Sequence, residues 1–143
     1  MAKAETSHDH AHDHQAPAKL TRNQSMVFSA LREQEKPLTA YAILDRLRGD
    51  GLRAPLQIYR ALDKLMEKGL VHRLESLNAF VACQHEACSG HSTVAFAICE
   101  SCGLVDEIED EVANREIERL ARERGFLPTR ATVELKGLCA DCR

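Results

Sequence analysis

Two Cys-x-x-Cys pairs constrain this chain more than any other feature: Cys99 with Cys102, and Cys139 with Cys142. Two thiolates in one tight turn can bind a single ion, and two such turns complete a tetrahedral zinc site. A closed site of this kind is structural and contributes to folding. The helix and strand predicted between the pairs would bring the last turn back to the first. The alternative interpretations are two redox dithiols or unrelated cysteines.

The length of the chain allows two small domains, whose thin cores would need a metal, a disulfide or a dimer interface for stability. The sequence has 143 residues, of which 44% are hydrophobic and only 4% aromatic. No apolar run is long enough to span a bilayer, and the polar N-terminus does not resemble a secretory signal. We therefore predict a cytoplasmic protein with no membrane partner, in which reduced thiols favour metal over disulfides.

Charge divides the chain into a basic half and an acidic half. Residues 15–75 carry 11 basic and 7 acidic side chains, whereas residues 76–143 carry 7 and 12. This asymmetry is compatible with nucleic acid bound by the first half only, or with chance variation of the surface.

The first half has the element order of a winged helix-turn-helix domain, predicted over residues 19–83. A His- and Asp-rich tail over residues 1–18 is predicted to be disordered. Helices are predicted to begin at Thr21, near Thr39 and near Pro55. Alternating segments at residues 70–74 and 79–83 predict a β-hairpin. In this fold the third helix enters the major groove of DNA.

The second half predicts a small α/β dimerisation domain over residues 93–143, which makes the whole chain α+β. Residues 84–92 have no apolar period and predict a hinge linker. Strands are predicted at residues 93–98, 104–108 and 129–135, with a helix capped by Asp110. That helix has an apolar face which so small a unit cannot bury alone, so a homodimer is expected.

Four further metal donors lie around the predicted domain boundary: His72, Cys83, His91 and Glu107. Two nitrogens, one sulfur and one oxygen suit zinc, and the thiolate argues against a purely hard cation. Taken singly, each residue also has an ordinary structural interpretation. His85 and Cys88 in the linker are either an extra, weaker site or plain linker residues.

Residues 55–63 and both cysteine pairs resemble the Fur family of bacterial metal-dependent repressors. Residues 70–83, followed by His91, are most similar to the zinc uptake regulator (Zur) subfamily. The resemblance implies that the four boundary donors hold a regulatory zinc, giving two Zn²⁺ ions per protomer. It also implies a zinc-responsive, homodimeric repressor of zinc uptake genes that binds a palindromic operator in double-stranded DNA, and no enzyme activity. Residues 89–92 depart from the histidine-rich run of the iron-type members.

Five side chains are candidates for DNA contact: Tyr41, Gln57, Tyr59, Arg60 and Lys64. Arg60 can form two hydrogen bonds to the O6 and N7 atoms of guanine. Tyr59 resembles the family residue that contacts thymine or the backbone. The usual threonine of the family's recognition helix is absent from the Leu56-Gln57-Ile58 segment, which leaves the details of base reading open.

Three other functions remain open from the sequence. A Fur-family sensor of iron, manganese or peroxide differs only in the metal or oxidant that controls DNA binding. A zinc hydrolase needs an open position on the metal, which four protein donors do not leave. A thiol oxidoreductase needs exposed thiols of low pKa.

Overall fold

The computed structural model describes residues 19–84 and 93–143. Their helices and strands are α1 (Arg22–Arg32), α2 (Ala40–Leu47), α3 (Pro55–Glu67), β1 (Val71–Leu74), β2 (Ala79–Ala82), β3 (Thr93–Cys99), β4 (Val105–Ile108), α4 (Glu111–Glu123) and β5 (Ala131–Gly137). Short 3-10 helices follow α2 and join β1 to β2. None of the helices in these two ranges is long and apolar enough to cross a bilayer.

The helices begin where local sequence signals predict. The Thr21 side chain accepts a hydrogen bond from the Gln24 backbone, and the Gln24 side chain accepts one from the Thr21 N–H. Thr39 caps α2 in a similar way, and Asp110 accepts bonds from two backbone N–H groups of α4. Each cap satisfies N–H groups that have no partner within the helix. The predicted helix starts are therefore confirmed.

The first core lies between the three N-terminal helices and one side of the β1–β2 hairpin. Its fully buried side chains include Val27, Ile43, Ile58 and Leu62. The hairpin is antiparallel, and backbone bonds between Leu38 and Phe80 attach the segment before α2 to it. This arrangement confirms the predicted winged-helix order.

The second sheet has the strand order β4-β3-β5, in which β3 is antiparallel to β4 and parallel to β5. The prediction of a strand at residues 129–135 was wrong by two residues at each end. Parallel pairing from Thr93 with Ala131 to Cys99 with Gly137 fixes where β5 begins and ends. The alternation of side chains within residues 129–135 does not show where a partner strand begins and ends.

The second core contains residues from both halves of the chain. Leu74 of the β1–β2 hairpin packs with Phe96, Ile98 and Val105 of the second sheet, and Val81 lies beside them. Leu74 and Phe96 are at most 1% exposed. One side of the hairpin therefore belongs to each core, and the hairpin links the two halves.

Candidate metal centres and DNA-facing surface

The four paired cysteines converge at one end of the second sheet. Cys99 ends β3, and Cys139 follows β5; because the two strands are parallel, both turns lie at the same edge. The four sulfur atoms lie within 4.8 Å of one another. Cys102 Sγ is 3.8 Å from Cys139 Sγ. Two sulfurs bound tetrahedrally to zinc at about 2.3 Å would be about 3.8 Å apart, so the arrangement fits that ion.

The protonation of these thiols also favours a bound cation. Backbone N–H groups of Cys102 and Cys139 donate to Cys99 and lower the pKa of its thiol to about 6. At Cys142 a hydrogen bond from Ser101 lowers the pKa, but the three neighbouring thiols outweigh it and raise the pKa to about 12. Four thiolates this close repel one another, so full deprotonation requires a cation among them.

A second group of donors joins the two halves of the chain. His72 comes from β1, Cys83 follows β2, and Glu107 comes from β4; their ligand atoms lie within 4.8 Å of one another. Glu107 Oε1 is 3.8 Å from His72 Nε2 and 3.8 Å from Cys83 Sγ. The other carboxylate oxygen accepts a bond of 3.2 Å from the Gln84 N–H, which orients Oε1 toward the other two donors.

His72 is prepared for a ligand role. Burial, assisted by the charge of Arg130, lowers its pKa to about 4, so the imidazole is neutral at pH 7. Its Nε2 atom is buried and has no hydrogen-bond partner among the described residues. A buried polar atom without a partner is costly, and a metal ion bound to Nε2 would remove that cost. The side chains of His72 and Glu107 are only 13% and 6% exposed.

The other predicted donors of this region lie outside the described residues: His85, Cys88 and His91. Cys83 itself is disulfide-bonded, so it can offer a thiolate only after that bond is reduced. Of the four donors predicted from the sequence, the structure therefore brings three together, and the fourth, His91, lies outside the described residues.

Two contacts between the halves had no sequence signal. Glu134 of β5 accepts hydrogen bonds of 3.2 and 3.4 Å from the Ser76 N–H at the tip of the hairpin. Arg130 donates to the Met66 carbonyl at the end of α3, at 3.5 Å. Each contact joins residues more than fifty positions apart in the sequence, a separation that local patterns do not report.

Four of the five predicted DNA-contacting side chains are exposed on the helices of the first domain. Tyr41 on α2 is 62% exposed, Tyr59 on α3 is 39% exposed, and Arg60 is also exposed. Lys64 is exposed but forms an ion pair with Glu67 at 3.0 Å. The fifth, Gln57, is used within the protein, because its Oε1 atom accepts bonds from the backbone N–H groups preceding α3.

An exposed apolar surface covers α4 and its surroundings. No residue of α4 is buried, and the helix exposes Val112 and Leu120 to 74% and 51%. Four more large apolar side chains of the second half are more than half exposed: Phe126, Leu127, Leu135 and Leu138. So much exposed apolar surface is typical of an interface with another chain.

Comparison with known proteins places this arrangement among metal-dependent regulators. The ferric uptake regulator family model matches residues 15–136. The zinc uptake regulation protein of Escherichia coli K12 is 36% identical over 129 residues, which cover 90% of this chain and 75% of that protein. The zinc uptake regulation protein of Mycobacterium tuberculosis H37Rv is 28% identical over 129 residues, covering 90% and 97%.

Two solved structures have the same fold. The crystal structure of holo XcZur has a TM-score of 0.79 and 41% identity, covering 88% of this chain and 87% of that one. A zinc uptake regulator complexed with zinc and DNA has a TM-score of 0.79 and 37% identity, covering 86% and 82%.

Proposed function

We propose a function from the premise that this chain belongs to the ferric uptake regulator family. It is a zinc-responsive, DNA-binding transcriptional repressor that controls zinc uptake genes, and it is not an enzyme. The observation that carries this proposal is the convergence of His72 and Cys83, from the DNA-binding half, on Glu107 of the other half. A ligand shared by these three side chains holds the two halves in one arrangement.

The two metal sites have different roles in this proposal. The four-cysteine site binds a permanent zinc that ties the end of β3 to the end of β5 and stabilises the second domain. The interdomain site binds the regulatory zinc through His72, Cys83, Glu107 and His91. A zinc ion bound there would offset the negative charges of the thiolate and the carboxylate and would connect the two halves through their side chains. We therefore infer two Zn²⁺ ions per protomer.

The interdomain site acts as a switch because its full donor set exists only in the closed arrangement. If the hairpin moves away from β4, His72 and Cys83 leave Glu107. A ligand shifts a conformational equilibrium only by its difference in affinity for the two states. Here that difference comes from donors that the open arrangement no longer offers together.

A homodimer presents two α3 helices to DNA. The exposed apolar face of α4, with Val112 and Leu120, supplies the protomer contact. A dimer with twofold symmetry binds two half-sites in successive major grooves, so its operator is palindromic. Arg60 and Tyr59 contact bases, whereas Tyr41 and Lys64 contact the backbone.

The donor chemistry and the relatives favour zinc over the other metals sensed in this family. A thiolate and a neutral imidazole are ligands that zinc accepts readily, whereas manganese prefers oxygen. Which metal restores DNA binding to the metal-depleted protein decides between these sensors.

The test is a fluorescence-anisotropy titration of DNA binding against free zinc, performed under reducing conditions so that Cys83 is available. The DNA is the sequence that the wild-type protein enriches from a random duplex library. Glu107→Gln removes a ligand, and Asp106→Asn is the matched control, because Asp106 is exposed on the same strand.

We expect Glu107→Gln to raise the free zinc needed for half-maximal DNA binding by about 100-fold or more, since even outer partners of metal ligands contribute about 10–100-fold. Asp106→Asn should respond as the wild type does. A zinc-binding titration should show that Glu107→Gln binds one of its ions more weakly by a similar factor. Wild-type DNA binding that ignores zinc refutes the sensor, and equal responses of the two variants refute the site.

A further inference from the structure

The DNA-facing side of α3 carries an apolar side chain that the proposed contacts do not use. The buried side of the helix is formed by Ile58, Ala61, Leu62 and Leu65. On the opposite side Leu56 is 57% exposed. Residues three and four apart are neighbours on a helix surface, so Leu56 lies beside Tyr59 and Arg60. An isobutyl group, a phenol ring and a guanidinium thus share one surface near the start of the helix.

A single exposed leucine has no special meaning on most surfaces. On the premise of the proposed function, the position of Leu56 on the recognition helix gives its exposure a functional meaning. The N-terminal residues of a recognition helix are the ones that reach base edges. The only apolar group in the major groove is the C5-methyl group of thymine. We propose that Leu56 packs against a thymine methyl group in each half-site and determines specificity for thymine at that position.

The start of α3 is fixed firmly enough for such a contact. Gln57 Oε1 accepts bonds of 3.0 and 3.1 Å from the N–H groups of Arg53 and Ala54. Pro55 occupies the first helical position, where its restricted φ angle suits the helix. Gln57 is therefore a positioning residue for Leu56 as well as a helix cap. The expected DNA contact of Gln57 stays a prediction beside this positioning role.

The contact can be isolated by removing the methyl group from the DNA and by truncating the isobutyl group of the protein to a methyl group. Wild type and Leu56→Ala are titrated with zinc-loaded protein against the duplex enriched by the wild type. Each thymine is replaced in turn by deoxyuridine, which lacks only the methyl group. Circular dichroism and zinc content show that the variant is folded and loaded, and the exposed position makes the truncation mild.

At one thymine position of the palindrome, replacement by deoxyuridine in one half-site should lower the affinity of the wild type about fourfold. This factor corresponds to the free energy of burying one methyl-sized group. Replacing that thymine in both half-sites should cost about fifteenfold, because distant sites are additive. Leu56→Ala should be insensitive to deoxyuridine at this position and equal to the wild type at the others.

The two levels of the proposal fail in different ways. If the wild type enriches no zinc-dependent palindrome, the proposed function is wrong. If it enriches one, but both proteins respond equally to deoxyuridine at every position, the function stands and the role of Leu56 is refuted.

Discussion

Acidification should destabilise the protein depleted of interdomain zinc, and His72 should be the cause. Burial, and then the charge of Arg130, lower the pKa of His72 to about 4 in the folded state. In the unfolded chain its pKa returns to about 6.5. Between these values the unfolded state binds more protons than the folded state. The free energy of unfolding therefore falls as the pH falls through this window, and it is unaffected by His72 above the window.

The size of the effect follows from the two pKa values. Relative to pH 7, the loss in the free energy of unfolding is about 1 kcal/mol at pH 5.5 and about 3 kcal/mol at pH 4. His72→Gln keeps a neutral polar side chain of similar size and removes the titration. The difference between wild type and variant therefore isolates the substituted position, because the rest of the sequence is the same in both proteins.

The measurement is urea unfolding followed by circular dichroism between pH 7 and pH 5.5, on protein that lacks the interdomain zinc and keeps the four-cysteine zinc, with a reductant present. The free energy of unfolding of the wild type should fall by about 1 kcal/mol more than that of His72→Gln. Parallel pH dependences would show that the imidazole is not held neutral by burial. In that case the argument that His72 is prepared for a metal would fail as well.

Three further changes test the interdomain contact, the cysteine site and the dimer surface. Glu134→Gln weakens the bonds to the Ser76 N–H, and we expect about threefold more zinc for half-maximal DNA binding; an unchanged midpoint in the anisotropy titration would show that this contact does not support closure. Cys142→Ser should abolish the fold of the second domain, because a structural zinc contributes about 10 kcal/mol or more, whereas the total free energy of unfolding of a domain is only about 5–15 kcal/mol. Circular dichroism and the zinc content of the purified protein measure this effect, and a folded variant with its full zinc content would contradict it. Leu120→Glu should weaken dimerisation by about 30-fold while leaving the protomer folded, and sedimentation that still shows a tight dimer would place the interface elsewhere.

Local sequence patterns predicted the elements and the β1–β2 hairpin, but not the pairing of the second sheet. Thr21, Thr39 and Asp110 identify helix starts because a cap acts on N–H groups two or three residues away. The bounds of β5 were missed because they depend on pairing with β3, more than thirty residues earlier. The four-cysteine site was predictable because the spacing inside each pair already suits one ion.

The interdomain donors show the limit of the same reasoning. His72, Cys83 and Glu107 have no motif spacing, so their donor atoms alone suggested a joint zinc site only beside ordinary structural interpretations, and the family resemblance was needed to favour it. Their convergence depends on how the hairpin packs against the second sheet through Leu74 and Phe96. Gln57 shows a related limit: its place on the recognition helix predicts a DNA contact, but only the structure shows that its carbonyl oxygen accepts bonds from the N–H groups preceding the helix.

The hairpin with one side in each core should give closure a calorimetric signature. If the first domain swings away from β3, the hairpin moves with it, and Leu74 and Phe96, now at most 1% exposed, become hydrated. Hydration of apolar surface raises the heat capacity, so closure should lower it. Coordination of an ion by three side chains buries little apolar surface by itself. Measured without DNA, the temperature dependence of the zinc-binding enthalpy therefore reports the fraction of the zinc-free protein that was in the open arrangement.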